Sequence, residues 1–264
     1  TDYYDQNLKR DRLDILKLSK NFSFSESYLE DKEKLNKSFE EFKPEIVVHL
    51  AAQAGVRYSI ENPQSYVDSN LIGTFNISEA IRIQPVKHLL FASTSSVYGS
   101  NEEMPFSEAT KADTQMSFYA ATKKANESML HSYSYLYNIP TTVFRFFTVY
   151  GPMGRPDLAF FKFAKAILEG APIDIYNNGE MSRDFTYIDD LTKSIELLLN
   201  KVPNQDNPIS NDSISNVAPY RILNIGNSSE VNLMDFIREI ENALGKEAKK
   251  NFMPMQIGDV KRTL

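Results

Sequence analysis

Short apolar runs rich in β-branched residues alternate with longer segments of helical period along most of the chain. The runs that predict strands are EIVVHLAA (45–52), HLLFAST (88–94), TTVFRFF (141–147), IDIY (173–176) and RILNIG (221–226). Helical periodicity lies near 31–42, 64–83, 117–137, 157–169, 189–201 and 232–244. Because long helices separate the strands, the pattern predicts right-handed βαβ crossovers and an α/β fold with a doubly wound parallel sheet.

The beginning of the chain departs from this architecture. A dinucleotide-binding sheet opens with a strand, a glycine-rich turn and a helix. The sequence contains no G-x-G-x-x-G motif. Either the chain does not bind a dinucleotide or its first βαβ unit is absent, and the motifs described below favour absence. Near the other end, the polar stretch 201–220 predicts a surface loop.

Composition excludes several classes of function. The 264 residues are 42% hydrophobic, enough for a sizeable core, and the net charge of −6 with no long basic run argues against nucleic-acid binding. No apolar stretch is long enough to span a membrane, and the first residues lack a signal-peptide core, so we expect a cytoplasmic protein. There is no cysteine, and the three histidines, at non-ligand spacings, predict no metal site.

The segment SFYAATKKA places Tyr119 and Lys123 four residues apart. On a helix such residues share a face, so the phenol and the ammonium would lie close together. A free phenol has a pKa of about 10, and a neighbouring cation favours its ionised form. The pair could therefore remove a proton from an alcohol, although the same spacing also occurs in ordinary solvent-exposed pairs.

A run of hydroxyls follows the second predicted strand. Thr94 ends the apolar run LLFAST, and Ser95 and Ser96 follow it, about one βα step before Tyr119. Ligands of open α/β sheets bind beyond the carboxyl ends of the strands. A hydroxyl there could hydrogen-bond the oxygen of the reacting alcohol, whereas a plain Ser/Thr-rich turn would not account for the spacing to Y-x-x-x-K.

Together these motifs resemble the extended short-chain dehydrogenase/reductases that modify nucleotide sugars. Further matches follow in the order of that family: 49–80, RFFTVYGPMGRPD (145–157), SRDFTYIDDL (182–191) and MQIGDVKRT (255–263). The segments VRYS and GPMGRPD are most similar to those of UDP-glucuronate 4-epimerases. The resemblance touches nearly the whole chain and implies a Rossmann-type sheet whose first βαβ unit is missing, with a smaller C-terminal α/β part.

The resemblance implies a division of labour between two parts of the chain. Residues 1–150 would form an N-terminally incomplete NAD-binding domain, and residues 151–264 mainly the UDP-sugar-binding part. The catalytic set would be Thr94, Tyr119 and Lys123. Tyr119 would take the C4 hydroxyl proton while hydride passes from C4 to NAD, and the resulting 4-keto sugar would turn over and be reduced on its other face.

The resemblance also implies which residues bind the two ligands. Those lining NAD would be Leu29, Ala51, Ala52 and Asn70, together with Tyr119 and Lys123. Tyr28 stands where the family often has an aspartate that contacts adenine. Arg183 would bind the UDP diphosphate, Tyr176 would pack against uracil, and Gln256 and Asp259 would bond the uridine ribose.

A uronate carboxylate would need donors near C5 of the sugar. Short neutral donors would come from Ser95, Ser96 and Thr148, and charge from Arg57 or Arg155. The expected partners are thus a UDP-sugar and a second copy of the chain, because family members commonly dimerise through two helices, here 64–83 and 117–137. We expect neither nucleic acid nor membrane as a partner.

Alternatives within the same fold remain. A 4,6-dehydratase would carry Asp-Glu, and a UDP-glucuronate decarboxylase usually a glutamate, in places held here by Ser95 and Ser96. UDP-glucose 4-epimerase performs the same chemistry at C4 and is the main enzyme alternative. A non-catalytic sensor of NAD or sugar nucleotide would have no use for an intact Thr94, Tyr119 and Lys123.

Overall fold

The computed structural model describes residues 3–206 and 212–264. Its helices are α1 (Gln6–Lys17), α2 (Lys32–Phe42), α3 (Tyr58–Glu61), α4 (Pro63–Tyr66), α5 (Gly73–Ile83), α6 (Phe118–Tyr137), α7 (Ala159–Glu169), α8 (Ile188–Leu198) and α9 (Leu233–Leu244). Its strands are β1 (Ile46–His49), β2 (His88–Thr94), β3 (Thr141–Phe146), β4 (Thr148–Tyr150), β5 (Pro172–Ile175), β6 (Ser182–Tyr187), β7 (Tyr220–Ile225), β8 (Glu230–Asn232) and β9 (Lys249–Phe252). A π-helical turn over Val67–Ile72 joins α4 to α5.

A four-stranded parallel sheet in the order β1-β2-β3-β7 lies at the centre of the molecule. Side chains alternate along β2: Leu89 and Phe91 pack with α2, α5 and α6, whereas Leu90 packs with α8. Helices therefore cover both faces, and the predicted doubly wound parallel sheet is confirmed. The strand β1 lies at one edge of this sheet. The absence of a first βαβ unit stays a prediction.

The C-terminal part adds two small sheets. One has the order β4-β6-β8, with β6 and β8 antiparallel, and the other pairs β5 with β9. Ile167, Ile173, Ile175 and Ile237 form the buried core between α7, β5 and α9. Of the predicted strands, 173–176 therefore pairs outside the central sheet and ends at Ile175, because a turn begins at Tyr176.

Local capping explains where the catalytic helix begins and ends. The side chain of Ser117 accepts a hydrogen bond from Ala120 N at 3.1 Å and caps the N-terminus of α6. Asn138 adopts the left-handed conformation (φ 53°) that closes its C-terminus. The cap fixes Tyr119 in the first turn, and Lys123 lies one turn further along the same face.

The remaining sequence predictions concern loops, membranes and metals. The stretch 201–206 and 212–219 contains neither helix nor strand, as predicted for a loop, and 207–211 lie outside the described residues. No helix in the described part of the chain is long and apolar enough to cross a membrane. Within the same residues, no cluster of three or more His, Asp or Glu could hold a metal ion.

Candidate active site

The carboxyl end of β2 carries the predicted hydroxyl run. Thr94 Oγ1 accepts a hydrogen bond from Ser96 N and donates one to Ser96 Oγ, each at 3.2 Å. Thr94 also hydrogen-bonds the phenol of Tyr119. Its register partner on β3 is Phe146, so Thr148 begins β4 close to the same edge of the sheet. The structure thus brings Thr94, Ser96 and Tyr119 together at one strand end, as the sequence predicted.

The environment of Tyr119 opposes its ionisation in part. Burial raises the pKa of the phenol above its usual range, while the Thr94 hydrogen bond and the Arg155 guanidinium act to lower that pKa. The spacing of Tyr119 and Lys123 predicts that Lys123 is the cation that lowers this pKa. In the structure Arg155 supplies that charge instead, because the fold brings the loop that carries Arg155 beside α6.

Lys123 is buried beneath the end of β2. Its Nζ donates to Ala92 O at 2.8 Å and lies 4.9 Å from the centroid of the Phe91 ring. Burial lowers the pKa of Lys123 to about 7, and the carboxylate of Glu127 opposes this lowering. The protonated Lys123 has ammonium donors beyond the one that Ala92 O accepts.

Sequence reasoning missed a buried ion pair behind this face of α6. Arg145 on β3 donates to both carboxylate oxygens of Glu127, from Nε at 3.0 Å and from Nη2 at 2.8 Å. Ser93 Oγ donates to the same carboxylate at 2.6 Å, and Lys124 Nζ lies 3.2 Å from it. The signal in the sequence was an arginine inside the apolar run TTVFRFF, since a charge buried in a strand needs a partner.

The residues expected around NAD lie along the carboxyl end of β1 and on the helix beside it. Asn70 Oδ1 accepts from Gln53 N at 2.8 Å, and its Nδ2 donates to Gln53 O and Thr122 Oγ1, both at 3.0 Å. Its side chain therefore holds the loop after Ala51 and Ala52 against α6. Leu29 O accepts from Asn76 Nδ2, on α5, at 3.0 Å.

A cavity of about 600 Å³ extends from this edge into the C-terminal part. The predicted substrate residues that line it are Arg57, Thr148, Arg155, Tyr176, Arg183, Gln256 and Asp259. Ser95 and Ser96 are not part of its lining, and Ser95 is 9% exposed. Of the three short hydroxyl donors predicted for the carboxylate, only Thr148 therefore lines the cavity.

Contacts in the cavity place Arg57 and Arg155 beside different groups. The Arg57 guanidinium lies 4.5 Å from the centroid of the Tyr176 ring. Arg57 therefore belongs to the end of the cavity predicted for uracil, and its assignment to the carboxylate is disfavoured. Arg155 is the arginine near Tyr119, and it pairs with Asp157.

Arg183 lies at the far wall with the other predicted nucleotide residues. Its Nη2 donates to Asp259 Oδ1 at 2.8 Å, and Nη1 donates to Ser182 O at 2.8 Å. The neighbouring Asp184 accepts from two backbone N–H groups, at 2.8 and 2.9 Å. Nearby, Gln256 Oε1 is buried and has no hydrogen-bond partner within the described residues.

Comparison with known proteins identifies the family to which the chain belongs. Residues 3–226 match the model of the NAD dependent epimerase/dehydratase family. A probable UDP-glucuronate 4-epimerase of Rhizobium meliloti is 53% identical over 267 aligned positions, which cover 100% of this chain and 78% of that protein.

Two solved structures share the fold. The UDP-glucuronic acid 4-epimerase of Bacillus cereus, in complex with UDP-glucuronic acid and NAD, superposes with a TM-score of 0.85 at 33% identity, covering 98% of this chain and 77% of that one. The Thermus thermophilus UDP-glucose 4-epimerase in complex with NAD gives a TM-score of 0.80 at 30% identity, covering 93% and 76%.

Proposed function

The chain belongs to the NAD dependent epimerase/dehydratase family, and from that premise we propose that it inverts C4 of a UDP-hexuronic acid. The reaction interconverts UDP-glucuronate and UDP-galacturonate through a 4-keto intermediate. The observation that carries this proposal is the meeting of three groups at Tyr119: a phenol that can take a proton, the Thr94 hydroxyl and the Arg155 guanidinium. A uronate brings both a C4 hydroxyl and a carboxylate to such a place.

Tyr119 takes the proton of the C4 hydroxyl, and Thr94 holds the C4 oxygen during the transfer. The Thr94 hydrogen bond and the Arg155 charge both favour the phenolate that this step needs. Removal of the hydroxyl proton by a positioned base is what allows C4 to give up hydride.

The buried residues fit the nicotinamide end of NAD. Lys123 is a buried cation with donors left over after its bond to Ala92 O, which suits two ribose hydroxyls. Ala51 and Ala52 leave space at the end of β1, Asn70 fixes their loop, and Leu29 lies toward the adenine end. NAD bound there would supply the hydride acceptor, and then the hydride donor, that inversion at C4 requires.

The far wall of the cavity fits UDP. Arg183 offers a forked donor to the diphosphate, with Asp259 close enough to accept from a ribose hydroxyl while it orients the guanidinium. The buried Gln256 Oε1 lacks a donor, which a ribose hydroxyl would supply. Arg57 and Tyr176 form a stacked pair against which uracil can lie.

The sugar carboxylate then lies between the hydroxyl run and Arg155. Thr148 lines the cavity, and Ser96 stands next to Thr94 with its hydroxyl partly exposed. Ser95 is the deeper of the two serines and supports the turn that follows β2. Neutral donors together with one cation, itself paired with Asp157, hold the carboxylate without surrounding it with charge.

The two parts of the chain divide this work. Residues 1–150 hold NAD and the catalytic residues, and residues 151–264 mainly hold the UDP-sugar. A homodimer forms through α5 and α6, where Phe75, Ile83 and Leu136 are exposed with 42%, 66% and 61% of their surface. Cytoplasmic location, and the absence of metal, membrane and nucleic-acid partners, stay predictions of the sequence.

The function is tested by incubating the NAD-loaded enzyme with UDP-glucuronate and UDP-glucose in parallel and reading the products by NMR. We expect UDP-galacturonate from the first sugar and little or no UDP-galactose from the second. Tyr119→Phe should lower turnover by about 10²–10⁴-fold, because only the proton acceptor is removed. Tyr135→Phe on the same helix, 60% exposed, is the matched control and should react normally.

Three results would contradict the proposal. Preferential conversion of UDP-glucose would make the protein a UDP-glucose 4-epimerase, the activity named for the Thermus thermophilus relative. Loss of C6 as carbon dioxide would indicate a decarboxylase. Binding of a UDP-sugar with no turnover of any UDP-hexose would indicate a sensor.

A further inference from the structure

The segment that precedes α1 is tied to the loop 151–158, far away in the sequence. Arg12, in α1, donates from Nη2 to Gly154 O at 2.9 Å and from Nη1 to the phenol oxygen of Tyr4 at 2.7 Å. One guanidinium thus joins the helix, the segment before it and the loop. A Cβ at Gly154 would lie 2.8 Å from the Phe161 ring, so the loop is also packed closely on its other side.

Tyr3 makes a second and separate contact with the same loop. Its phenol donates to Asp157 Oδ2 at 3.1 Å. Asp157 also accepts both Nε and Nη2 of Arg155, with the Nε distance at 3.0 Å. The Arg155 guanidinium lies 5.9 Å from the centroid of the Tyr3 ring. Arg155 is therefore held between Tyr3 and Asp157, and all three side chains line the cavity.

Tyr3 also contacts the opposite wall of the cavity. Its ring centroid lies 4.8 Å from that of Tyr58, and a series of rings continues through Tyr66 to Tyr119 with separations of 6.3 and 6.1 Å. A Cβ at Gly55, where φ is +107°, would lie 2.7 Å from the Tyr3 hydroxyl. Tyr3 thus bridges the loop that carries Arg155 and the segment 55–58, from which the series of rings leads to Tyr119.

We propose that Tyr3 and Arg12 are positioning residues that fix the loop 151–158, so that Arg155 is presented to the substrate carboxylate beside Tyr119. This inference rests on the proposed function for the identity of the substrate. The further point is that Tyr3 and Arg12, which touch no reacting atom, set the preference for a charged sugar. Loosening the loop should therefore weaken binding of the uronate more than binding of the neutral hexose.

The experiment compares Tyr3→Phe and Arg12→Ala with Arg10→Ala, an exposed arginine on the same helix. For each NAD-loaded variant we measure the Kd values of UDP-glucuronate and UDP-glucose, kcat, and hydrogen exchange of the 151–158 backbone. We expect faster exchange in that loop and a Kd for UDP-glucuronate raised about five- to tenfold, with the Kd for UDP-glucose changed less than twofold. kcat at saturation should fall less than affinity, and Arg10→Ala should match the wild type.

Two results would overturn the inference. Unchanged exchange and unchanged Kd in both variants would show that the contacts do not hold the loop. An equal rise in Kd for both sugars would show that Tyr3 and Arg12 support the fold in general and do not position Arg155. If the wild type epimerises no UDP-uronate, the proposed function fails by itself, and the exchange and Kd comparisons still decide whether Tyr3 and Arg12 position Arg155.

Discussion

Tyr119 lies between two groups that favour its ionised form, in surroundings whose burial disfavours that form. A general base works best when its pKa is near the operating pH, so the balance between burial, Thr94 and Arg155 sets the rate. Because Arg155 also faces the cavity, a bound carboxylate would partly neutralise it and leave Thr94 as the main group lowering the pKa of Tyr119. Substrate charge and base strength are therefore coupled through one arginine.

Ser96→Ala tests the neutral donors assigned to the carboxylate. A hydroxyl donated to a charged oxygen contributes roughly 1.5–3 kcal/mol, so the affinity for UDP-glucuronate should fall about tenfold or more. UDP-glucose presents a neutral hydroxymethyl group there and should lose much less. Ser100→Ala, whose exposed hydroxyl donates to Thr114 Oγ1 at 2.8 Å, is the control. Equal losses for both sugars would mean that Ser96 only supports Thr94.

The sequence predicted which single residues belong to the site better than it predicted the side chains that they contact. Spacing and strand ends brought Thr94, Tyr119 and Lys123 to one place, since these depend on local periodicity. The partners of Arg57 and Arg183 lie in distant segments of the chain, so no local pattern could have chosen Tyr176 and Asp259 for them. Arg155 instead pairs with Asp157, two residues further along the chain.

The elements that carry the site are joined by the Glu127–Arg145 pair. Both side chains are 2% exposed, and the pair fastens α6 to β3 next to Lys123. Hydrogen bonds and charge from Arg145 hold the pKa of Glu127 below its usual range despite burial, which alone would raise it. A carboxyl whose pKa is lower in the folded than in the unfolded protein stabilises the folded state. This stabilisation is complete above about pH 4.5, the pKa of Glu127 in the unfolded chain, and is lost as the pH falls through the pKa of the folded state.

Glu127→Gln should lower the free energy of unfolding by about 3–5 kcal/mol at pH 7, because Arg145 is left as a buried charge without its counter-ion. Denaturant unfolding measures the change. The control is Glu196→Gln, which removes an exposed pair with Lys193 at 2.9 Å and should cost at most about 1 kcal/mol. The difference between wild type and Glu127→Gln should shrink below pH 4.5. A difference that stays constant down to pH 2 would assign the effect to packing.

Long apolar or strongly periodic elements were predictable, and short ones were not. The strands β2, β3 and β7 and the helices α2, α6, α8 and α9 lie close to their predicted positions. The strands β4, β6, β8 and β9 pair only with distant partners in small sheets, and their periodicity is too short to read. The helix α1 was not predicted, and none of its residues is buried in the structure.

The whole molecule presents exposed apolar side chains on helices at opposite faces of the central sheet. Leu136 on α6 and Leu197 on α8 are 61% and 60% exposed. If α5 and α6 form the dimer interface, a charge at Leu136 is buried against the partner and a charge at Leu197 stays in water.

Leu136→Glu should convert a dimer to a monomer in sedimentation velocity, and Leu197→Glu should leave the dimer intact. Circular dichroism of both variants controls for folding. A monomeric wild type, or dissociation by both substitutions alike, would show that α5 and α6 are not the interface.

In the proposed reaction, hydride leaves and re-enters C4 of a UDP-hexuronic acid within one protein molecule. UDP-glucuronate deuterated at C4 and incubated with catalytic amounts of the NAD-loaded enzyme in ordinary water tests it directly by ²H and ¹³C NMR. We predict UDP-galacturonate with deuterium retained at C4, C6 intact and no net formation of NADH. Protium at C4 of the product, or a decarboxylated UDP-pentose, would contradict the account.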